Sequence, residues 1–191
     1  MKIYGLTGKT GAGKSTAAAL LREKGWYVID GDVLARQVTQ KGSPVLQTLA
    51  SVFGADILLP DGSLDRKALV RKVNARADGK QQLDAITHPA IDALLRAEVQ
   101  KAQNAGFTRC VFDAAALLES PSKALCEKII VVTAPESVRL QRIRSRDGLS
   151  EEDARARMRM QKEDDYYLSQ ADIIIENNTP NALEAALGTL E

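Results

Sequence analysis

The sequence predicts an α/β protein in which a five-stranded parallel sheet is sandwiched by helices and carries two helical insertions. Three observations carry that expectation. Short apolar runs alternate with segments of helical periodicity. The runs are nearly continuous in Ile and Val, as strands covered on both faces should be. Two of the connections are much longer than a crossover needs.

The first strand is Lys2–Thr7, starting directly after Met1, which leaves no room for a signal peptide. A glycine-rich stretch leads into a helix over Lys14–Lys24, closed by Gly25. Trp26–Asp30 is the second strand. Residues 31–106 follow, far more than the dozen or so of a simple crossover. Helices are expected near Val33–Lys41, Val45–Phe53, Asp65–Asn74, Gly79–Thr87 and Ala90–Asn104. Gly42-Ser43-Pro44 and Pro60-Asp61-Gly62 are turn signals, and Pro89 fits the first turn of the last helix. Thr108–Asp113, Lys128–Thr133 and Asp172–Glu176 complete the sheet. Residues 135–170 form a second insertion, two helices broken at Asp147-Gly148. Seven of the chain's 14 arginines lie between Arg139 and Arg159, nearly balanced by Asp147, Glu151, Glu152 and Asp153. That is the pattern of a mobile, phosphate-facing lid. The expected organisation is a core of residues 1–30, 107–134 and 171–191, a helical insertion over 31–106 and a lid over 135–170.

Composition narrows the function. The 191 residues carry 26 Lys+Arg against 25 Asp+Glu, a net charge of +1, which is no footprint for nucleic acid. No apolar run is long enough to span a membrane. Two cysteines, Cys110 and Cys126, exclude a disulfide scaffold and a cysteine zinc site, and fit a reducing, cytoplasmic setting. The single histidine, His88, excludes a multi-histidine metal site. Cys110 and Trp26 read as core residues. The isolated core needs no protein partner.

Gly8-Lys9-Thr10-Gly11-Ala12-Gly13-Lys14-Ser15 matches G-x-x-x-x-G-K-[ST], the phosphate-binding P-loop. This spacing arises by chance in roughly one chain of this length in a hundred. Its position between a predicted strand and a predicted helix sharpens the match. Glycines let the backbone approach phosphate, and the N–H groups converge on an anion at a helix N-terminus. Gly11, Ala12, Gly13, Lys14, Ser15 and Thr16 are therefore the candidate ligands of the ATP phosphates. Lys14 reaches the β- and γ-phosphates, and the Ser15 hydroxyl is a candidate Mg²⁺ ligand.

The second strand ends in Asp30-Gly31-Asp32. Ligands of open α/β sheets bind beyond the carboxyl ends of the strands. A strand neighbouring the first and ending in two acids puts a carboxylate near the γ-phosphate. Asp32 is the candidate base, with Asp30 behind it; the alternative for Asp32 is to cap the following helix. Arg36, one turn on, either binds an anionic substrate group or pairs with Asp32. Asp113, closing the third strand, is either a Mg²⁺ partner in the Walker-B position or a loop cap. His88 either contacts substrate or caps and packs. Asp65 reads as a cap, and Arg66 either faces phosphate or is solvated.

These residues resemble the dephospho-coenzyme A kinase family over essentially the whole chain. The resemblance rests on Gly5-Leu6-Thr7-Gly8 and the P-loop, Asp30-Gly31-Asp32 with Ala35-Arg36, Leu64-Asp65-Arg66, and His88-Pro89. It continues through Asp113 with Leu117-Leu118-Glu119, Arg139 to Arg142, Arg146, Gln161, Ala171-Asp172 and Asn177. Two departures stand out: Gly8-Lys9-Thr10, where the family commonly has two glycines and Ile, and Ala114-Ala115-Ala116, where it usually has a proline. The resemblance implies a kinase that uses MgATP to phosphorylate the ribose 3′-hydroxyl of dephospho-coenzyme A, the last step of coenzyme A biosynthesis. It implies Asp32, Lys14 and Arg142 as catalytic residues, Arg142 being the lid arginine nearest the transferring phosphoryl group. Arg36, Arg66, His88 and Leu117 would bind the acceptor; Ser15 and Asp113 would hold the metal. The nearest rival is a nucleoside monophosphate kinase or another small-molecule P-loop kinase. A GTPase switch is disfavoured because neither N-K-x-D nor D-x-x-G occurs.

Overall fold

The computed structural model describes residues 1–179 and 181–190. Pro180 and Glu191, both inside the expected core segment 171–191, lie outside the described residues. β1 (Lys2–Thr7) leads through the P-loop to α1 (Lys14–Glu23). β2 (Tyr27–Asp30) runs into α2 (Gly31–Val38). The Asp30 carboxylate caps α2, accepting from the N–H groups of Asp32 (2.8 Å) and Val33 (3.1 Å). α3 (Pro44–Phe53) has Ser43 as N-cap and Pro44 in its first turn; α4 (Arg66–Asn74) is capped by Asp65, as expected.

α5 (Gly79–Asn104) corrects the sequence reading. Two helices with a break at His88-Pro89 were expected; the structure has one helix of 26 residues with Pro89 inside it. An interior proline removes one backbone hydrogen bond and costs about 3 kcal/mol. Apolar residues on both sides of it offset that cost. Leu83 and Ile86 pack before the proline, and Leu95 and Ala102 are fully buried after it.

β3 (Arg109–Asp113) is followed by two 3₁₀ turns, Leu117–Glu119 and Pro121–Leu125, and then β4 (Lys128–Thr133). α6 (Glu136–Asp147) ends at Gly148, and α7 (Glu151–Arg159) starts from the Ser150 cap. α8 (Asp164–Leu168), β5 (Ile173–Glu176) and α9 (Ala182–Gly188) close the chain.

The five parallel strands lie in the order β2-β3-β1-β4-β5. β2 was expected beside β1; instead β3 stands between them. The crossover through α1 skips one strand position, and β3 fills the gap, pairing Leu6 with Asp113. On the other side Thr7 pairs with Val131 of β4.

The chain divides into two compact units, residues 1–29 with 101–191, and residues 30–100. In the first, Leu6, Ala17, Leu21, Val111, Ile130, Val132 and Ile175 form a core with Tyr4 and Trp26, whose rings stand 4.8 Å apart. Cys110 is also buried there. Leu140 and Ile143 of α6 pack on Ala154 and Met158 of α7 in the same unit. In the second unit Leu49, Phe53, Ile57, Leu69 and Val73 form a separate core.

Candidate active site

The P-loop joins β1 to α1, and its glycines are sterically required. Gly11 has φ 79°, and a Cβ there would lie 2.7 Å from the Arg139 carbonyl oxygen. Gly13 has φ 107°, and a Cβ there would run into Asn177 Nδ2. α6 and the segment after β5 therefore approach the loop too closely for any side chain at these positions.

The loop's polar groups divide into two sets. Two N–H groups are taken by the protein: Ala12 donates to Lys9 O at 3.1 Å, and Thr10 donates to Gln161 Oε1 at 2.8 Å. The N–H groups of Gly11, Gly13, Lys14, Ser15 and Thr16 have no protein acceptor among the described residues. No side chain caps α1 at Gly13, so its first donors are left for an anion. This corrects the expectation for Ala12. It is fully buried, its N–H closes a turn within the loop, and it has no donor left for phosphate.

The carbonyl oxygens need donors of their own. Asn177, 5% exposed, donates through Nδ2 to Ala12 O at 2.8 Å. Arg142 Nη1 donates to Gly11 O (3.3 Å) and Ala12 O (3.2 Å), and its Nη2 to Asn177 O (3.2 Å). Arg142 was expected at the transferring phosphoryl group. Here its fork is spread over three carbonyls, two of the loop and one of the segment after β5.

Lys14 and Asp113 meet. The Lys14 ammonium forms an ion pair with Asp113 Oδ1, and the two side chains are 19% and 10% exposed. The strand order makes this contact, because β3 ends directly beside β1. The Ala114–Ala116 segment is tied to the same place: Ala114 N donates to Leu6 O (3.1 Å) and Thr7 Oγ1 to Ala115 O (3.3 Å). Ser15 lies in the first turn of α1, next to Lys14. Leu117, expected to touch the acceptor, is fully buried; a Cβ on Gly5 would collide with its Cδ2. The 3₁₀ turn folds it into the sheet, where it has no surface left for a ligand.

Within residues 30–100, Asp32 stands in the first turn of α2 with an exposed carboxylate. Because Asp30 does the capping, Asp32 has no hydrogen bond or ion pair through its side chain among the described residues. Arg36 is likewise exposed and makes no ion pair among the described residues. Arg66 Nη2 donates to Thr39 Oγ1 at 3.2 Å, which holds its guanidinium at the C-terminal end of α2. His88 Nε2 lies 3.5 Å from Asp84 Oδ1, one turn away on α5.

In the arginine-dense segment, four arginines pair with acids of the same segment. Asp147 binds Arg146 (2.7 Å) and Arg157 (2.8 Å); Arg155 binds Glu136 (2.8 Å) and Glu151 (3.0 Å); Arg144 lies 3.5 Å from Glu151. The Arg146 guanidinium holds the Asp147 carboxyl below its usual range. Arg139 differs: it is 6% exposed, and its Nη1 has no partner among the described residues. Sequence reasoning gave no role to Lys9, Arg139, Gln161 or Asn177, although Arg139, Gln161 and Asn177 lie within the family pattern.

A P-loop between the first strand and helix of a parallel sheet, with its lysine on the acid of the adjacent strand, defines a P-loop kinase fold. The chain belongs to the dephospho-CoA kinase family, whose model (CoaE: Dephospho-CoA kinase) matches residues 2–182. A dephospho-CoA kinase of Anaeromyxobacter dehalogenans is 42% identical over 184 residues, covering 96% of this chain and 87% of the relative. A solved structure from Thermus thermophilus is 32% identical with a TM-score of 0.83, covering 98% of this chain and 94% of that one. The dephospho-CoA kinase of Campylobacter jejuni is 27% identical with a TM-score of 0.69 and the same coverage.

Proposed function

We propose that this chain transfers the γ-phosphoryl group of ATP to the 3′-hydroxyl of dephospho-CoA, giving coenzyme A and ADP as the last step of coenzyme A biosynthesis. The observation that carries the reading is the extent of the family match, which runs through both units rather than stopping at the P-loop. A P-loop alone is common to many phosphotransferases; residues 30–100 are the part that distinguishes them.

The geometry of each unit supports the following roles. The free N–H groups of Gly11, Gly13, Lys14, Ser15 and Thr16 bind the ATP phosphates at the positive end of α1. Lys14, already desolvated against Asp113, shares its ammonium between that carboxylate and the β- and γ-phosphates. It thereby stabilises charge that shifts during transfer. Mg²⁺ usually takes one or two carboxylates and completes its shell with phosphate oxygens and water. Asp113 and the Ser15 hydroxyl are such a donor set, and they would hold the ion. Bound there, it would neutralise negative charge on the phosphates. Asp32, free of any capping duty, orients the acceptor hydroxyl for attack; a loose transition state needs alignment more than full deprotonation. Arg36 and Arg66 meet the acceptor's pyrophosphate, and His88 on α5 is the third candidate for it. Arg142 acts on the loop rather than on the phosphoryl group. The α6–α7 pair is assigned as the lid. ATP and dephospho-CoA are the only partners required, and the two free thiols suit work in the cytoplasm.

The test is kcat/KM for dephospho-CoA, AMP, CMP and UMP under one set of conditions, with the product analysed for the position of the new phosphate. Dephospho-CoA should be preferred by several orders of magnitude and phosphorylated at the 3′-oxygen. A monophosphate used equally well, or a new phosphate placed on a 5′-phosphate, overturns the reading in favour of a nucleoside monophosphate kinase.

A further inference from the structure

The second half of the P-loop is held through its carbonyls by Arg142 and Asn177. The first half is held differently, by Gln161 between α7 and α8 and by Asp164 at the start of α8. Gln161 Oε1 accepts the Thr10 N–H at 2.8 Å, and Asp164 Oδ1 lies 2.7 Å from Lys9 Nζ. We infer that Gln161, with the Lys9–Asp164 pair beside it, is a positioning residue for the nucleotide site, fixing the P-loop peptide planes that present N–H groups to phosphate. The inference rests on the reading of this loop as an ATP site.

Two observations support it independently. The first is the direction of the Thr10 N–H. It points out of the cradle onto a side chain, so the Gly11 peptide that follows is turned with its N–H free. Without that acceptor, a part-buried N–H would seek another partner, and the neighbouring peptides would rotate with it. The second is the charge beneath the loop. Lys9, Arg139, Asp164 and Tyr167 line one small cavity of about 10 Å³, room for a single water. Asp164 is the sole carboxylate lining it, against two cations. One of those cations, Arg139, is almost fully buried with an unpartnered Nη1. Burial holds the Tyr167 phenol above its ordinary range, so it adds no counter-charge at neutral pH. An exposed ion pair is ordinarily worth little. Here the Asp164 side chain is 65% exposed but the Lys9 side chain only 13%, and losing Asp164 leaves the cavity with two cations and no carboxylate.

The test uses the full chain and three variants. Gln161→Met keeps length and removes the acceptor; Gln161→Glu keeps an acceptor oxygen at the same reach; Asp164→Asn removes the counter-charge. Amide exchange at Thr10 reads the clamp directly, and titration with a non-hydrolysable ATP analogue reads its consequence. Neither involves the acceptor, so a chain that phosphorylated some other hydroxyl would give the same results. In Gln161→Met, Thr10 exchange should rise about tenfold and analogue affinity fall about tenfold, the worth of one net hydrogen bond. The KM for dephospho-CoA should stay within twofold, and Gln161→Glu should retain Thr10 protection, its added charge lowering only the affinity for the anionic analogue. Asp164→Asn should weaken the analogue severalfold, and adding Lys9→Met should recover most of the loss, because it removes one of the two cations lining the cavity. Unchanged Thr10 exchange or unchanged affinity in Gln161→Met overturns the proposal, as does equal loss of Thr10 protection in Gln161→Met and Gln161→Glu.

Discussion

Replacing Gly13 by alanine perturbs two things that the structure separates. Gly13 sits at φ 107°, and its new Cβ runs into the buried amide nitrogen of Asn177. Holding an L-residue in the left-handed region costs about 1–2 kcal/mol. Displacing Asn177 breaks its 2.8 Å bond to Ala12 O, and a buried polar group left unpaired costs about 1–3 kcal/mol. Together the loss is about 2–5 kcal/mol, set against a typical total of about 5–15 kcal/mol. At about 2–4 °C per kcal/mol for a chain of this size, Tm should fall by roughly 4–20 °C. Gly25→Ala is the control. Gly25 has φ 81° with nothing within 4 Å of where its Cβ would stand, so only the conformational cost of about 1–2 kcal/mol applies. Thermal melts of both variants, repeated with ATP, measure the difference. The ATP-induced rise in Tm should shrink in Gly13→Ala alone, since only there is the cradle displaced. If Gly13→Ala melts no lower than Gly25→Ala, Asn177 does not lock the loop and the bracing argument fails.

Four further outcomes follow from the same geometry. Lys14→Ala should cut turnover by orders of magnitude with the fold intact by circular dichroism; turnover within a few-fold of wild type would remove the P-loop from the chemistry. Asp32→Asn should lose about 10²–10⁴-fold in kcat while ATP affinity stays, and the opposite pattern would make Asp32 a metal or structural residue. Arg142→Lys keeps the charge but cannot reach three carbonyls at once, so ATP affinity measured by titration should drop before kcat does; a fall in kcat alone would return Arg142 to the phosphoryl group. Burial pushes the Cys126 thiol up to about 11 from 9.0. The unfolded chain therefore loses this proton first, and the thiol's contribution to stability is complete below about pH 9 and lost on rising to about pH 11. Urea midpoints across that range should fall more steeply for wild type than for Cys126→Ala, and parallel slopes would contradict the assignment.

Much of this protein is written locally. Each strand, most helices, the Asp65 cap and the P-loop can be read from spacing and residue type, because a strand buried on both faces or a glycine-rich strand–helix turn leaves its mark within a few residues. Asp113 and Lys14 were each legible as candidates on that basis, one at a strand end and one at a helix start. Their meeting was not, because it depends on β3 inserting between β2 and β1. Strand order reflects how whole layers pack, and no window of sequence contains it. The same holds for Arg142, whose pairing with loop carbonyls depends on where α6 crosses the P-loop, and for Leu117, which a 3₁₀ turn carries into the core. Pro89 shows tertiary burial overriding a local signal, since the apolar residues on either side of it share one helix. The chain by itself determined which groups could do chemistry. Only the packed structure decided which N–H groups are free, which carbonyls are braced and which cations are buried, because each of those depends on partners distant in sequence.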